Sequence, residues 1–140
     1  MRPGGVLESA LYCADVEAAE AFYGNVLGLE PIAKQPGRHV FFRCGASVVL
    51  LFNPVTTIAE PVHHGAEGPG HLAFRVAEAE LPAWRAHLLD SHVAIEREVT
   101  WPGGGRSLYF RDPAGNSLEL ATPATWGLSE PDDAPESSRS

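Results

Sequence analysis

Apolar and polar positions along the chain fall into one pattern that occurs twice. Val6 to Cys13 reads as a strand and ends at Asp15, a good helix N-cap. Val16, Ala19, Tyr23, Val26 and Leu27 then recur at helical spacing, with Glu17 and Glu20 on the polar side and Gly28 at the expected C-cap. Three strands are predicted next, over Leu29–Ala33, His39–Arg43 and Ser47–Phe52, so the first half is βαβββ. After a connector from Asn53 to Gly70 the pattern restarts. His71–Val76 is a predicted strand, and Leu81, Trp84, Leu88 and Leu89 mark a helix whose first turn tolerates Pro82. Strands over Val93–Val99, Ser107–Arg111 and Ser117–Ala121 complete a second βαβββ unit, the last two joined by the turn-forming run Asp112–Asn116.

The repeat is visible in the residues themselves. Arg38-His39-Val40-Phe41-Phe42-Arg43 lies over Arg106-Ser107-Leu108-Tyr109-Phe110-Arg111, with both arginines and one phenylalanine matched. The expected architecture is therefore α+β: two tandem βαβββ modules, about 6–53 and 70–123, forming a cupped mixed sheet with helices on the outer face. Beyond Pro123 the apolar pattern fades into an acidic tail over 124–140, with Trp126 expected to pin its root.

Composition narrows the function classes. A chain of 140 residues with 44% apolar side chains can bury one core. Ten basic against eighteen acidic residues give a net charge of -8, a field that argues against nucleic acid and anionic lipid as partners. No apolar run is long enough to cross a bilayer and the Met1–Gly5 start lacks the apolar stretch of a signal peptide, so a cytoplasmic protein is expected. Cys13 and Cys44 show no metal-type spacing and are expected as buried, reduced thiols.

Strand alternation sorts side chains by face. Leu11 and Cys13 oppose Glu8, Ala10 and Tyr12; Leu72, Phe74 and Val76 oppose His71, Ala73 and Arg75; Leu118 and Leu120 oppose Ser117, Glu119 and Ala121. If each helix covers its module's apolar face, the opposite faces curve round a shared cavity into which Glu8, His71 and Glu119 project. One imidazole and two carboxylates suit a divalent cation without thiolate. Parity alone also fits a hydrogen-bonded strand histidine and solvated glutamates. The repeat favours the metal, because Glu8 and His71 both open the first strand of their module.

The residues quoted so far resemble the vicinal oxygen chelate superfamily, which holds glyoxalase I, extradiol dioxygenases, thiol transferases and bleomycin-binding resistance proteins. The resemblance covers residues 6–123. It rests on Asp15–Tyr23 followed by Val26-Leu27-Gly28-Leu29, on Gly70-His71-Leu72-Ala73-Phe74, and on Phe110–Leu120. It implies one divalent metal ion per site (Fe, Mn, Ni, Co or Zn) held by Glu8, His71 and Glu119. Where glyoxalase I has a further carboxylate this chain has Leu50 or Leu51, which favours a three-ligand site with open positions. The implied activity is a metal-dependent enzyme acting on a small substrate that chelates through two oxygens, by lyase, isomerase or extradiol-type dioxygenase chemistry.

In that reading Glu119 doubles as the catalytic group, and Tyr12, Arg75, Trp101 and Tyr109 are candidate substrate-binding residues. The alternative is a metal-free binder that sequesters an aromatic antibiotic between walls supplied by Trp101, Tyr109, Phe41 and Trp84. His39 fits a substrate-contact role loosely, and His63-His64 is expected in a solvated loop. Exposed sheet edges predict a homodimer, with the option that modules are exchanged between chains.

Overall fold

The structure, a computed structural model, describes residues 1–61 and 64–130. The first module comprises β1 (Glu8–Tyr12), α1 (Val16–Asn25), β2 (Glu30–Gln35), β3 (His39–Cys44) and β4 (Ser47–Phe52). A short helix, α2 (Pro54–Thr57), follows, capped by Asn53, whose side chain accepts from the Val55 amide. The second module comprises β5 (His71–Arg75), α3 (Leu81–Asp90), β6 (Arg97–Thr100), β7 (Arg106–Arg111) and β8 (Ser117–Ala121). A 3-10 turn over Pro123–Trp126 trails the last strand. Among the described residues no helix is long and apolar enough to cross a membrane.

The tandem βαβββ order is as expected, and its strands form two four-stranded sheets, ordered β1-β4-β3-β2 and β5-β8-β7-β6. In each, the first strand runs parallel to the last and the remaining pairs are antiparallel. β1 and β5 are therefore sheet edges.

Local chemistry explains the helix boundaries. Asp15 accepts from the Ala18 amide at 3.0 Å, the bond an N-cap supplies. Val26 caps the end of α1, its amide donating to the Phe22 carbonyl at 2.8 Å, and two residues further on Gly28 turns the chain at φ +67°, where the Leu29 amide reaches back to the Tyr23 carbonyl at 3.1 Å. Three expectations are corrected. The strand expected over Val93–Val99 is confined to Arg97–Thr100, because the Val93 amide is held by the Leu88 carbonyl at the exit of α3. Helix α2 stands in what was expected to be connector. Trp126 pins nothing, being 81% exposed. Most of the acidic tail, 131–140, and His63 lie outside the described residues.

One core serves both modules, and α1 is its centre. Tyr23 is fully buried; its ring stacks on Phe42 of the first sheet at 5.8 Å, and its hydroxyl donates to Asp112 Oδ2, at the end of β7, at 2.8 Å. Phe22 meets Phe110 of the second sheet at 6.3 Å. His87 of α3 completes the junction, its Nε2 donating to the Val26 carbonyl at 2.7 Å. Leu11, Val40, Phe42 and Leu51 from one sheet and Leu108, Phe110, Leu118 and Leu120 from the other share a continuous apolar cluster. With both apolar faces spent on this core, side-chain alternation turns the polar face of each sheet away from it.

Burial, the nearby Asp112 carboxylate and the hydrogen bond to it together hold the Tyr23 phenol protonated far above its ordinary value. A folded-state value raised in this way contributes stability below the unfolded value of about 10 and loses it as pH rises beyond. Tyr23→Phe should cost about 1–2 kcal/mol near pH 7 and flatten the loss of stability above about pH 10, as read from urea midpoints at the two pH values.

Candidate functional site

The polar face of the second sheet gathers four of the residues expected at the site. Register pairs His71 with Ser117 and Ala73 with Glu119 across β5 and β8, and Glu119 with Tyr109 across β8 and β7. His71 Nε2 lies 3.4 Å from Glu119 Oε2, and its ring faces Tyr109 at 6.3 Å. Glu119 is only 7% exposed, so its carboxylate needs partners. Tyr109 supplies one through a side-chain hydrogen bond, and burial, followed by that bond and the carboxylate charge, pushes the phenol up to about 12. The phenol therefore donates to Glu119 throughout the neutral range. Trp101 stands at the side, its Nε1 donating to Ser107 Oγ at 2.9 Å, and with Tyr109 it lines a cleft of about 460 Å³.

The tautomer of His71 follows from its other nitrogen. Nδ1 lies 3.0 Å from the Ser117 carbonyl, which only accepts, so Nδ1 carries a proton. Nε2 is the nitrogen left facing the Glu119 carboxylate, at 3.4 Å, a pair of atoms that a proton or a cation between them joins. A metal-binding histidine commonly shows this same division, one nitrogen on a backbone carbonyl and the other free to ligate.

A buried network holds this geometry. Asn116 accepts from the Gly70 amide at 2.7 Å, immediately before His71, and donates to Asp112 Oδ2 at 2.8 Å and to the Tyr12 carbonyl at 3.1 Å. Gly70 packs closely there: a Cβ would lie 2.9 Å from Leu11 Cδ2, so a larger residue requires the Leu11 side chain to shift. Residue types alone mark Asp112–Asn116 as a turn, and the one further signal for it is the resemblance.

The remaining candidates lie elsewhere. Glu8 and Tyr12 are on the first sheet, Glu8 exposed and Tyr12 half-buried against Phe52 at 6.5 Å. Arg75 is exposed at the far end of the edge strand β5. Among the described residues no three His, Cys, Asp or Glu side chains of one chain are grouped to hold a metal. The expected convergence of Glu8 with His71 and Glu119 within one chain is thus corrected to a His71–Glu119 pair, because the polar faces of the two sheets point away from their common core. In one chain this pair fits as two donors to an ion and Glu8 does not complete it.

Residues 5–120 match the family model of the Glyoxalase/Bleomycin resistance protein/Dioxygenase superfamily. The chain belongs to this superfamily. Within the superfamily, lactoylglutathione lyase from Agrobacterium tumefaciens is 41% identical, superposes with a TM-score of 0.87, and the match covers 91% of this chain and 100% of that one. The metallothiol transferase FosB of Bacillus licheniformis is 29% identical over 110 residues, 78% of this chain and 69% of its own. An integron cassette protein from the mobile metagenome of V. cholerae has a TM-score of 0.71 at 25% identity, covering 87% and 97% of the two chains. These likenesses agree with the tandem-module fold expected from the sequence.

Replacing the carboxylate in Glu119→Gln removes its charge from Tyr109. The phenol should then ionise at lower pH, though still above the ordinary tyrosine value, since burial is the larger cause. Ultraviolet titration of tyrosinate in the two proteins reads the difference.

Proposed function

We propose that the protein is a divalent-metal-dependent enzyme of the vicinal oxygen chelate type, acting on a small substrate that chelates through two neighbouring oxygens. His71 and Glu119 of one copy, with Glu8 of the partner subunit, are the proposed donors. The observation that carries this reading is the orientation of His71, whose Nδ1 is committed to the Ser117 carbonyl while Nε2 and the Glu119 carboxylate face one point. The outward polar faces and the open β1 and β5 edges support a homodimer in which each site is assembled from the first sheet of one chain and the second sheet of the other.

A divalent ion bound there supplies Lewis acidity toward the chelated oxygens. The chain's own residues do the rest. Glu119 takes or returns a proton on the substrate, and the Tyr109 hydroxyl steadies its carboxylate through the hydrogen bond. Trp101, fixed by Ser107, borders the neighbouring cleft and limits water. The 41% identity with a lactoylglutathione lyase favours proton-transfer chemistry of the lyase or isomerase kind over ring cleavage.

Protein purified without chelator should carry about one Mn(II) or Zn(II) per chain, and His71→Ala, Glu119→Ala and Glu8→Ala should each lose it, measured by elemental analysis. Sharing of the site predicts something further. When Glu8→Ala and His71→Ala chains are unfolded and refolded together, half of the dimers are mixed and each mixed dimer has one intact site, so about a quarter of the wild-type metal returns. No recovery on mixing rejects the shared site. Full retention of metal in all three variants rejects these donors, and absence of metal from the wild-type protein leaves a metal-free binder.

A further inference from the structure

The outward face of the first sheet departs from the polar character expected of it. Register stacks its residues in three rows across β1, β4 and β3: Tyr12, Phe52 and His39; then Ala10, Leu50 and Phe41; then Glu8, Val48 and Arg43. Tyr12, Phe52, His39 and Phe41 form one ring cluster, bordered in the second row by Ala10 and the buried Leu50. His39 and Phe41 stack at 4.2 Å with ring planes 14° apart, and Phe41 meets Phe52 edge to face at 5.2 Å. Phe52 is covered on another side by His64 at 4.6 Å, while Tyr12, His39 and Phe41 remain partly open.

Charge at the border is neutralised. Arg38 lies 5.7 Å over the Phe52 ring and is engaged by Glu60 through both carboxylate oxygens, at 3.0 and 2.6 Å. Burial, reinforced by Arg38, holds His39 below the ordinary histidine value, which favours the uncharged ring at neutral pH. The first two rows thus present rings without a net charge, and the charged side chains of this face, Glu8 and Arg43, stand in the third row. Its middle row offers small Ala10 and aliphatic Leu50 beside Phe41, a step low enough for a flat group to rest against the phenylalanine ring.

We infer that this face is a subsite for an aromatic ring attached directly to the chelating end of the substrate, with Phe41 as its specificity-determining residue. The inference rests on the proposed metal-dependent reading for the chelating end alone. Spacing sets the size: Phe41 stands two residues along and two strands across from Glu8, about 12 Å between backbones, so with both side chains reaching over the sheet a six-membered ring next to two chelating oxygens meets the Phe41 ring without a long linker. A neutral stacking wall prefers planar rings to saturated ones and is indifferent to the oxygens.

Calorimetric titration of the full chain with Mn(II) present tests this, using three probes: benzoylformate, a ring-bearing 2-oxo acid; pyruvate, which lacks the ring; and benzoate, which lacks the second oxygen. Benzoylformate should bind about tenfold more tightly than pyruvate. Phe41→Leu, which keeps an apolar side chain without a ring face, and Phe41→Ala should bring benzoylformate down to pyruvate while leaving pyruvate within about twofold. Equal binding of benzoylformate and pyruvate by the wild type, equal losses for both in the variants, or no measurable benzoylformate binding overturns the subsite. Failure of the metal reading shows differently: benzoylformate and benzoate then bind alike, with or without Mn(II) and in His71→Ala, yet still lose affinity in Phe41→Leu, which supports the subsite alone.

Discussion

The structure depends on one helix being shared by two sheets. Tyr23 of α1 lies flat on Phe42 of its own module and hydrogen-bonds Asp112 of the other, while Phe22 meets Phe110. A phenol buried at such a junction must have its hydroxyl paired, and Asp112 is its partner. Because both apolar faces are consumed in this core, both polar faces are directed outward. The orientation of every candidate site residue descends from that packing.

The same junction reaches the chemistry through Asn116. Its side chain joins Asp112, the Gly70 amide and the Tyr12 carbonyl, so the start of β5, the end of β1 and the β7–β8 turn are tied at one point. Gly70 precedes His71, and Ser117, which follows Asn116, orients the imidazole through its carbonyl. The network that joins the modules therefore also sets which nitrogen of His71 faces Glu119. Stability and site geometry rest on the same few buried hydrogen bonds.

Much of this was legible from residue types. Asp15 caps α1 as expected, and alternation put His71 and Glu119 on one face, since period-two parity needs only strand register; Tyr109 joins them through its pairing with Glu119. The aromatic face of the first sheet was less legible. Phe52 ends the run Ser47–Phe52, apolar on both faces because β4 is a central strand, so alternation there carried no signal. His39 and Phe41 were noticed singly; only the register across β3, β4 and β1 sets them in one surface with Tyr12 and Phe52. Trp126, marked by size as an anchor, stands exposed.

By itself the sequence determined the two modules, their helix caps, the faces of their strands and the resemblance that places the chain in its superfamily, because each of these is a local or periodic property of neighbouring residues. Tertiary structure alone decided how the modules meet. The amphipathic pattern requires each sheet to bury one face but does not say against what, and packing both faces around α1, rather than curving both polar faces inward, separates Glu8 from His71 and Glu119. That choice belongs to long-range contacts such as Tyr23 with Asp112, which no spacing along the chain encodes.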